Sequence, residues 1–194
     1  MDLRSPFVFL LHSFIQIVFE NRKEGDVGND CLLSVDGTDF RLAMGWNKSF
    51  YTYKFKRSGH RYEVGLCIRS GNICWWNGPY EPGNWNDEMI FNALAKNLED
   101  FERCETDRGY RGSAPAKVKC PGGLLEDPDP AVKAMAARVR SRQETVNERF
   151  KNWGILNNPY RHNIFKHQAV FGAIVCLTQL SLQANPLFSV EYYD

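Results

Sequence analysis

Hydrophobic and polar positions change rhythm several times along this 194-residue chain. Phe7 to Phe19 is an apolar stretch interrupted by His12, Ser13 and Gln16, and Asn21 to Asp30 is a polar loop. Cys31 to Val35 (CLLSV) is near-continuously apolar, as a central strand tends to be. Asp36-Gly37-Thr38-Asp39 is expected to end or bend that strand. Phe50 to Lys56 (FYTYKFK) alternates aromatic and polar residues with period two, the pattern of a half-buried strand. Ser58-Gly59 then reads as the turn and Arg61 to Arg69 as the return strand. After Ser70-Gly71-Asn72, a further short strand is expected over Ile73 to Trp76. These segments predict a meander on one sheet.

Gly78 to Asp87 (GPYEPGNWND) carries enough Pro and Gly to read as a loop. Asn86 or Asp87 caps a helix to about Asn97, with Ile90, Leu94 and Leu98 on one stripe. Phe101 to Asp107 is a weaker strand. Gly109, Gly112 and Pro115 break regular structure after it, and CPGG and EDPDP bound a loop. Pro130 suits the first turn of a long helix from Ala131 to about Trp153. Val132, Met135, Ala136, Val139, Val146, Phe150 and Trp153 trace its core stripe, whereas Arg140, Glu144, Asn147 and Lys151 share a polar face. A last, strongly apolar helix from about Asn163 to Ala184 packs in the interior, with an exposed stripe as a candidate dimer face. The order strands, helix, strand, helix, helix implies an α/β or α+β sheet covered by helices on at least one face. It forms one domain over 21–194, preceded by an atypical apolar leader over 1–20.

Composition narrows the class. An apolar fraction of 43% argues against disorder, and a net charge of +1 gives no global attraction to nucleic acid. Charge is uneven, however. On the long helix Lys133, Arg138, Arg140, Arg142, Arg149 and Lys151 face only Glu144 and Glu148. Six scattered cysteines without a CxxC pair read as reduced, buried thiols, and the four histidines lack zinc-ligand spacing. The leader is too short to span a bilayer and no small-x-small cleavage site comes after it, so neither membrane anchoring nor secretion is expected.

The candidate chemistry lies in three acids: Asp36 in CLLSVDGTDF, Asp107 in CETDRGYRG, and Glu144 in RVRSRQETVNERFK. Carboxylates brought together from a strand, a strand end and a helix can hold two divalent ions and act on phosphodiesters. Each acid has a plainer reading alone. Asp before Gly is commonly a turn former, which applies to Asp36; Asp39, and Asp107 before Arg108-Gly109, could equally be turn residues. Glu144 could pair with Arg140, and Glu148 is a rival third acid on nearly the same helix face. Trp75, Trp76 and Trp85 are expected to pack, with stacking on unpaired bases as the alternative.

Taken in order, SVDGTDF, ETDRGYRG and the set Arg140, Glu144 and Lys151 resemble the DDE superfamily of transposases, and more narrowly its PIF/Harbinger-like branch. GPYEPGNWND resembles that branch's Pro-Gly loop with an acid after it, here Asp87. The resemblance runs from about Phe19 to Tyr193. It implies an α/β, RNase H-like mixed sheet flanked by helices, with Asp36, Asp107 and Glu144 as catalytic, metal-holding acids. It also implies Mg²⁺ or Mn²⁺ as a pair of divalent ions, DNA as substrate, and Arg140 and Lys151 as DNA-phosphate contacts. The six-residue gap to Lys151 favours Glu144 over Glu148. Nuclear location, a possible homo-oligomer and a separate Myb-like DNA-binding partner are implied by the same resemblance. The 35 residues before Asp36 show no helix-turn-helix of their own. The alternative is a catalytically silent, transposon-derived DNA- or protein-binding protein.

Overall fold

The computed structural model describes residues 17–24, 30–112 and 114–190. Most of the apolar leader and part of the polar loop after it lie outside these residues. Six strands form one mixed sheet: β1 (Cys31–Arg41), β2 (Tyr51–Thr52), β3 (Arg57–Cys67), β4 (Ile73–Tyr80), β5 (Arg103–Thr106) and β6 (Val118–Lys119). β3 lies between β1 and β4, antiparallel to both, with β2 sharing the β4 edge. On its other side β1 pairs with β5, and β5 with β6, both in parallel. β1 is therefore central. The helices are α1 (Asp87–Ala95), α2 (Pro130–Lys151), a short α3 (Gly154–Asn157) and α4 (His167–Ala184).

Alternation along β1 separates two cores, because successive side chains point to opposite faces. Leu33 and Val35 pack with Phe91 and Leu94 of α1 and with Tyr110. Phe40, with Tyr62, Val64 and Leu66 of β3, packs against Val146 and Phe150 of α2 and Phe171 and Val175 of α4. Helices thus cover both faces. On the second, Gly172 lets α4 approach closely, since a Cβ there would stand 3.1 Å from the Trp76 ring.

Local chemistry fixes the helix starts as the sequence predicts. Asn86 accepts from Met89 N at 2.9 Å, and Asp129 accepts from Ala131 N at 2.8 Å with Pro130 in the first turn. α2 stops at Lys151, so Trp153 leaves the expected core stripe and is exposed.

Four expectations are corrected. β1 does not end at Val35 but runs through Asp36-Gly37-Thr38-Asp39 to Arg41. There Asp39 lies directly opposite Arg61, which donates to it at 2.7 and 3.1 Å, so cross-strand pairing overrides a local turn signal. Of FYTYKFK only Tyr51–Thr52 is strand, and the turn occupies residues 53–56, with Lys56 at φ +54°. Ser58 and Gly59 lie inside β3. Gly59 is needed there, because a Cβ would meet both Phe40 O and the Thr52 methyl at 2.7 Å. Finally, Gly78 to Tyr80 belong to β4 rather than to a loop.

The start of the polar segment, Asn21 to Lys23, is more structured than its polarity suggests. Phe19–Lys23 is a 3-10 turn, and its Arg22 is buried against Glu102, donating at 3.0 and 3.2 Å. Among the described residues no helix is long and apolar enough to cross a membrane, and no disulfide joins the cysteines.

Candidate active site

Asp36 sits midway along the central strand, on the face covered by α2. Ser34, two residues earlier on that face, donates to Gln143 Oε1 at 2.9 Å, and Gln143 Nε2 donates to Val64 O at 3.0 Å. Gln143 therefore clamps α2 to the sheet. One turn later Asn147 Nδ2 donates to Asp36 Oδ2 at 2.7 Å, while Asp36 Oδ1 accepts from Gly37 N at 2.8 Å. Both carboxylate oxygens of Asp36 are thus held, each with a lone pair to spare.

β5 stops at Thr106, which pairs with Val35, so Asp107 leaves the sheet beside Asp36. Asp107 caps the 3-10 turn Arg108–Tyr110, with Oδ1 accepting from Gly109 N at 2.8 Å. Tyr110 anchors that turn from below, buried edge-on against Phe91. A side chain at Gly109 would press on two carboxylates, since its Cβ would stand 3.0 Å from both Asp107 Oδ1 and Asp87 Oδ2. Asp87, at the start of α1, thus crowds the same turn, and its Oδ1 accepts from Arg61 at 3.0 Å.

Asp36, Asp107 and Glu144 line one cavity of about 180 Å³, together with Ser34, Glu105, Arg108, Arg140 and Gln143. Glu144 is exposed and stands on the rim; Glu148 is exposed and does not line the cavity. Among the described residues no three His, Cys, Asp or Glu side chains already converge on one point tightly enough to hold an ion.

Charge crowding dominates the electrostatics. Burial, and then the Asp107 charge, push the Asp36 carboxyl up to about 7, against the hydrogen bond from Gly37 N. Glu105 is also pushed up to about 7 by burial, although Arg140 pairs with it. Burial raises Asp87, opposed by Arg61, and burial also pushes Glu63 up to about 8, against the hydrogen bond that Trp75 Nε1 donates to it at 3.1 Å. A cation near Asp36 and Asp107 would relieve this repulsion.

The two expected phosphate contacts differ. Arg140 lies on the cavity wall but is already paired with Glu105 rather than with Glu144. Lys151 is half-buried, and burial together with the nearby Lys54 charge lowers its pKa. Trp75 and Trp76 pack as expected: Trp75 meets Phe19 edge-on at 5.5 Å and Trp76 meets Phe171 at 5.6 Å.

A family model described as DDE superfamily endonuclease matches residues 35–179, most of the chain. The chain belongs to the DDE superfamily of endonucleases. Its mixed sheet flanked by helices is the RNase H-like arrangement of that superfamily. No curated protein and no solved structure matches the chain. In this DDE-superfamily chain the matched region begins one residue before Asp36 and spans Asp107 and Glu144.

The sequence places Asn147 on the polar face of α2 without giving it a partner. Its spacing of three from Glu144 is the available signal. Glu105, Arg108 and Gln143 carry no signal that singles them out.

Proposed function

We propose that this chain is a metal-dependent DNA endonuclease and strand transferase of transposon origin, in which Asp36, Asp107 and Glu144 form the reacting centre. The observation that carries the reading is that these acids, from a central strand, the end of its parallel neighbour and a helix, line one cavity. Family membership supports nuclease chemistry. The Harbinger-like branch rests on the short motifs around Asp36, Asp107 and Glu144 and on the Pro-Gly loop before Asp87.

The donor set fits Mg²⁺ or Mn²⁺, since all three side chains offer only hard oxygen, and the raised Asp36 marks where positive charge is wanted. When bound there, such a pair of ions would supply acidification of an attacking water or 3′-OH and stabilisation of the leaving oxygen. Asn147 and Gly37 N fix the Asp36 carboxylate, so its donor oxygens are oriented before substrate arrives. Gln143 holds α2 in register with the sheet and thereby sets where Glu144 stands. Lys151, on the same polar face as Glu144, offers a positive charge for a DNA phosphate. Arg140 adds to this only in so far as it leaves Glu105.

The exposed position of Glu144 favours a second reading, a silent DNA- or protein-binding descendant. Titration with Mn²⁺, monitored by calorimetry and by the loss of free-ion EPR signal, separates the two. Active-site chemistry predicts saturable binding of two ions per chain that Asp107→Asn weakens at least tenfold. Identical isotherms for the two proteins would leave the silent binder.

A further inference from the structure

The segment from Arg41 to Arg57 contains five basic residues, five aromatic residues and no acid. Its outer part is open: Trp46 is 76% and Tyr53 85% exposed, and Lys48, Lys54, Lys56 and Arg57 are exposed as well. Large exposed aromatics on a folded domain call for an explanation, and here they alternate with cations. Among the described residues Lys48, Lys54, Lys56 and Arg57 form no ion pair with a carboxylate. Their charge is therefore available to an outside anion.

The segment is held in place. Tyr51 meets Tyr53 edge-on at 5.2 Å, which orients the exposed ring. Ser49 O accepts from Gly83 N at 2.8 Å, and any side chain on Gly83 would strike Lys48 O. The Pro-Gly loop before α1 thus buttresses the basic-aromatic segment from behind. Position matters most. The β1–β3 ladder pairs Asp36 with Val64 and, farther on, Arg41 with Gly59 next to the β2–β3 turn; α2 runs the same way, from Gln143 beside Ser34 to Asn147 beside Asp36 and on to Lys151. The turn therefore flanks the acidic cavity on the side of the C-terminal end of α2.

We propose that the β2–β3 turn and the loop before it form a platform for unpaired nucleotides entering the acidic cavity. Tyr53 stacks on an unpaired base, and Lys54 and Lys151 contact the adjoining phosphates. A π-face accepts any base, so this platform recognises strand opening rather than sequence. Its direction toward the cavity rests on the reading of that cavity as a DNA-processing site. Trp75 and Trp76, two of the three tryptophans with base stacking as their alternative role, are occupied in the fold, whereas Tyr53 is open.

The test is equilibrium binding in Ca²⁺ buffer of a fluorescein-labelled 15-nucleotide single strand, its duplex, and a duplex with an unpaired end. A 2-aminopurine in the unpaired stretch reports stacking directly. The expected result is preference for single-stranded and open-ended DNA over duplex. Tyr53→Ala should weaken it on the order of tenfold and lose the 2-aminopurine quenching, and Tyr53→Phe should restore both. Lys54→Ala should lower the salt dependence by about 0.7 in slope, one phosphate's worth on a single strand. Tyr53 is so exposed that its loss leaves folding intact, which circular dichroism checks. Unchanged binding and quenching in Tyr53→Ala, or duplex preferred over single strand, overturns the platform. Cleavage plays no part in this readout. Tyr53-dependent binding by a protein that never cuts would sink only the nuclease reading, and cutting without Tyr53 dependence would sink only the platform.

Discussion

Replacing Asp36 by Asn is predicted to stabilise the metal-free protein. Asp36 carries its charge where burial and Asp107 oppose it, which raises its pKa from 3.8 to about 7. A shift of that size corresponds to ~4 kcal/mol of native-state penalty for the ionised form at 1.36 kcal/mol per unit. Asp36 is partly solvent-exposed, and an effect of about 1–3 kcal/mol is expected after allowing for screening. The hydrogen bond to Asn147 survives the change. Asn147 Oδ1 is buried without a partner, so a flip of that amide lets it accept from the amide introduced at position 36. Linkage sets the sign with pH. A carboxyl whose pKa is raised on folding costs nothing below its unfolded pKa of 3.8. The cost grows as pH rises toward about 7 and stays constant above it. His60 and His167 act the other way. Burial lowers them to about 4 and about 3, so their contribution is lost as pH falls below 6.5. The wild-type profile alone is therefore ambiguous, and the difference between the two proteins is diagnostic. Urea unfolding in EDTA should give the Asp36→Asn protein an advantage at pH 8 that disappears near pH 4. Equal or lower stability of Asp36→Asn at pH 8 would refute the electrostatic argument.

Other consequences are testable by substitution. Glu144→Gln should abolish metal-dependent nicking while Glu148→Gln retains it, since only Glu144 lines the cavity; the reverse result moves the third acid. Arg22→Ala removes the ion-pair partner of the buried Glu102, and should cost about 3–5 kcal/mol in chemical unfolding. Gly109→Ala should lower Mn²⁺ affinity severalfold by calorimetry, because the new methyl presses on the Asp107 and Asp87 carboxylates.

Much of this fold is legible in the sequence because its signals are local. Asn86 and Pro130 announce their helices, and the near-continuous run Cys31–Val35 announces the central strand. Errors arise where tertiary contacts outweigh local preference. Gly37 reads as a turn former, yet in β1 it is the point where Asp87 comes close to the strand. FYTYKFK alternates like a strand although most of it is an exposed turn. β6, two residues long, is defined only by its partner Cys104–Glu105. The three acids are legible as an ordered set. The pairing of Arg140 with Glu105 is not, because it joins residues 35 apart.

The central claim is that Asp36, Asp107 and Glu144 constitute a metal-dependent phosphodiesterase centre, and conversion of supercoiled plasmid to nicked circles tests it most directly. With Mn²⁺ or Mg²⁺ the wild-type chain should nick, EDTA should stop it, and Asp36→Asn should reduce the rate at least a thousandfold while remaining folded. Nicking that persists undiminished in folded Asp36→Asn protein would contradict the account.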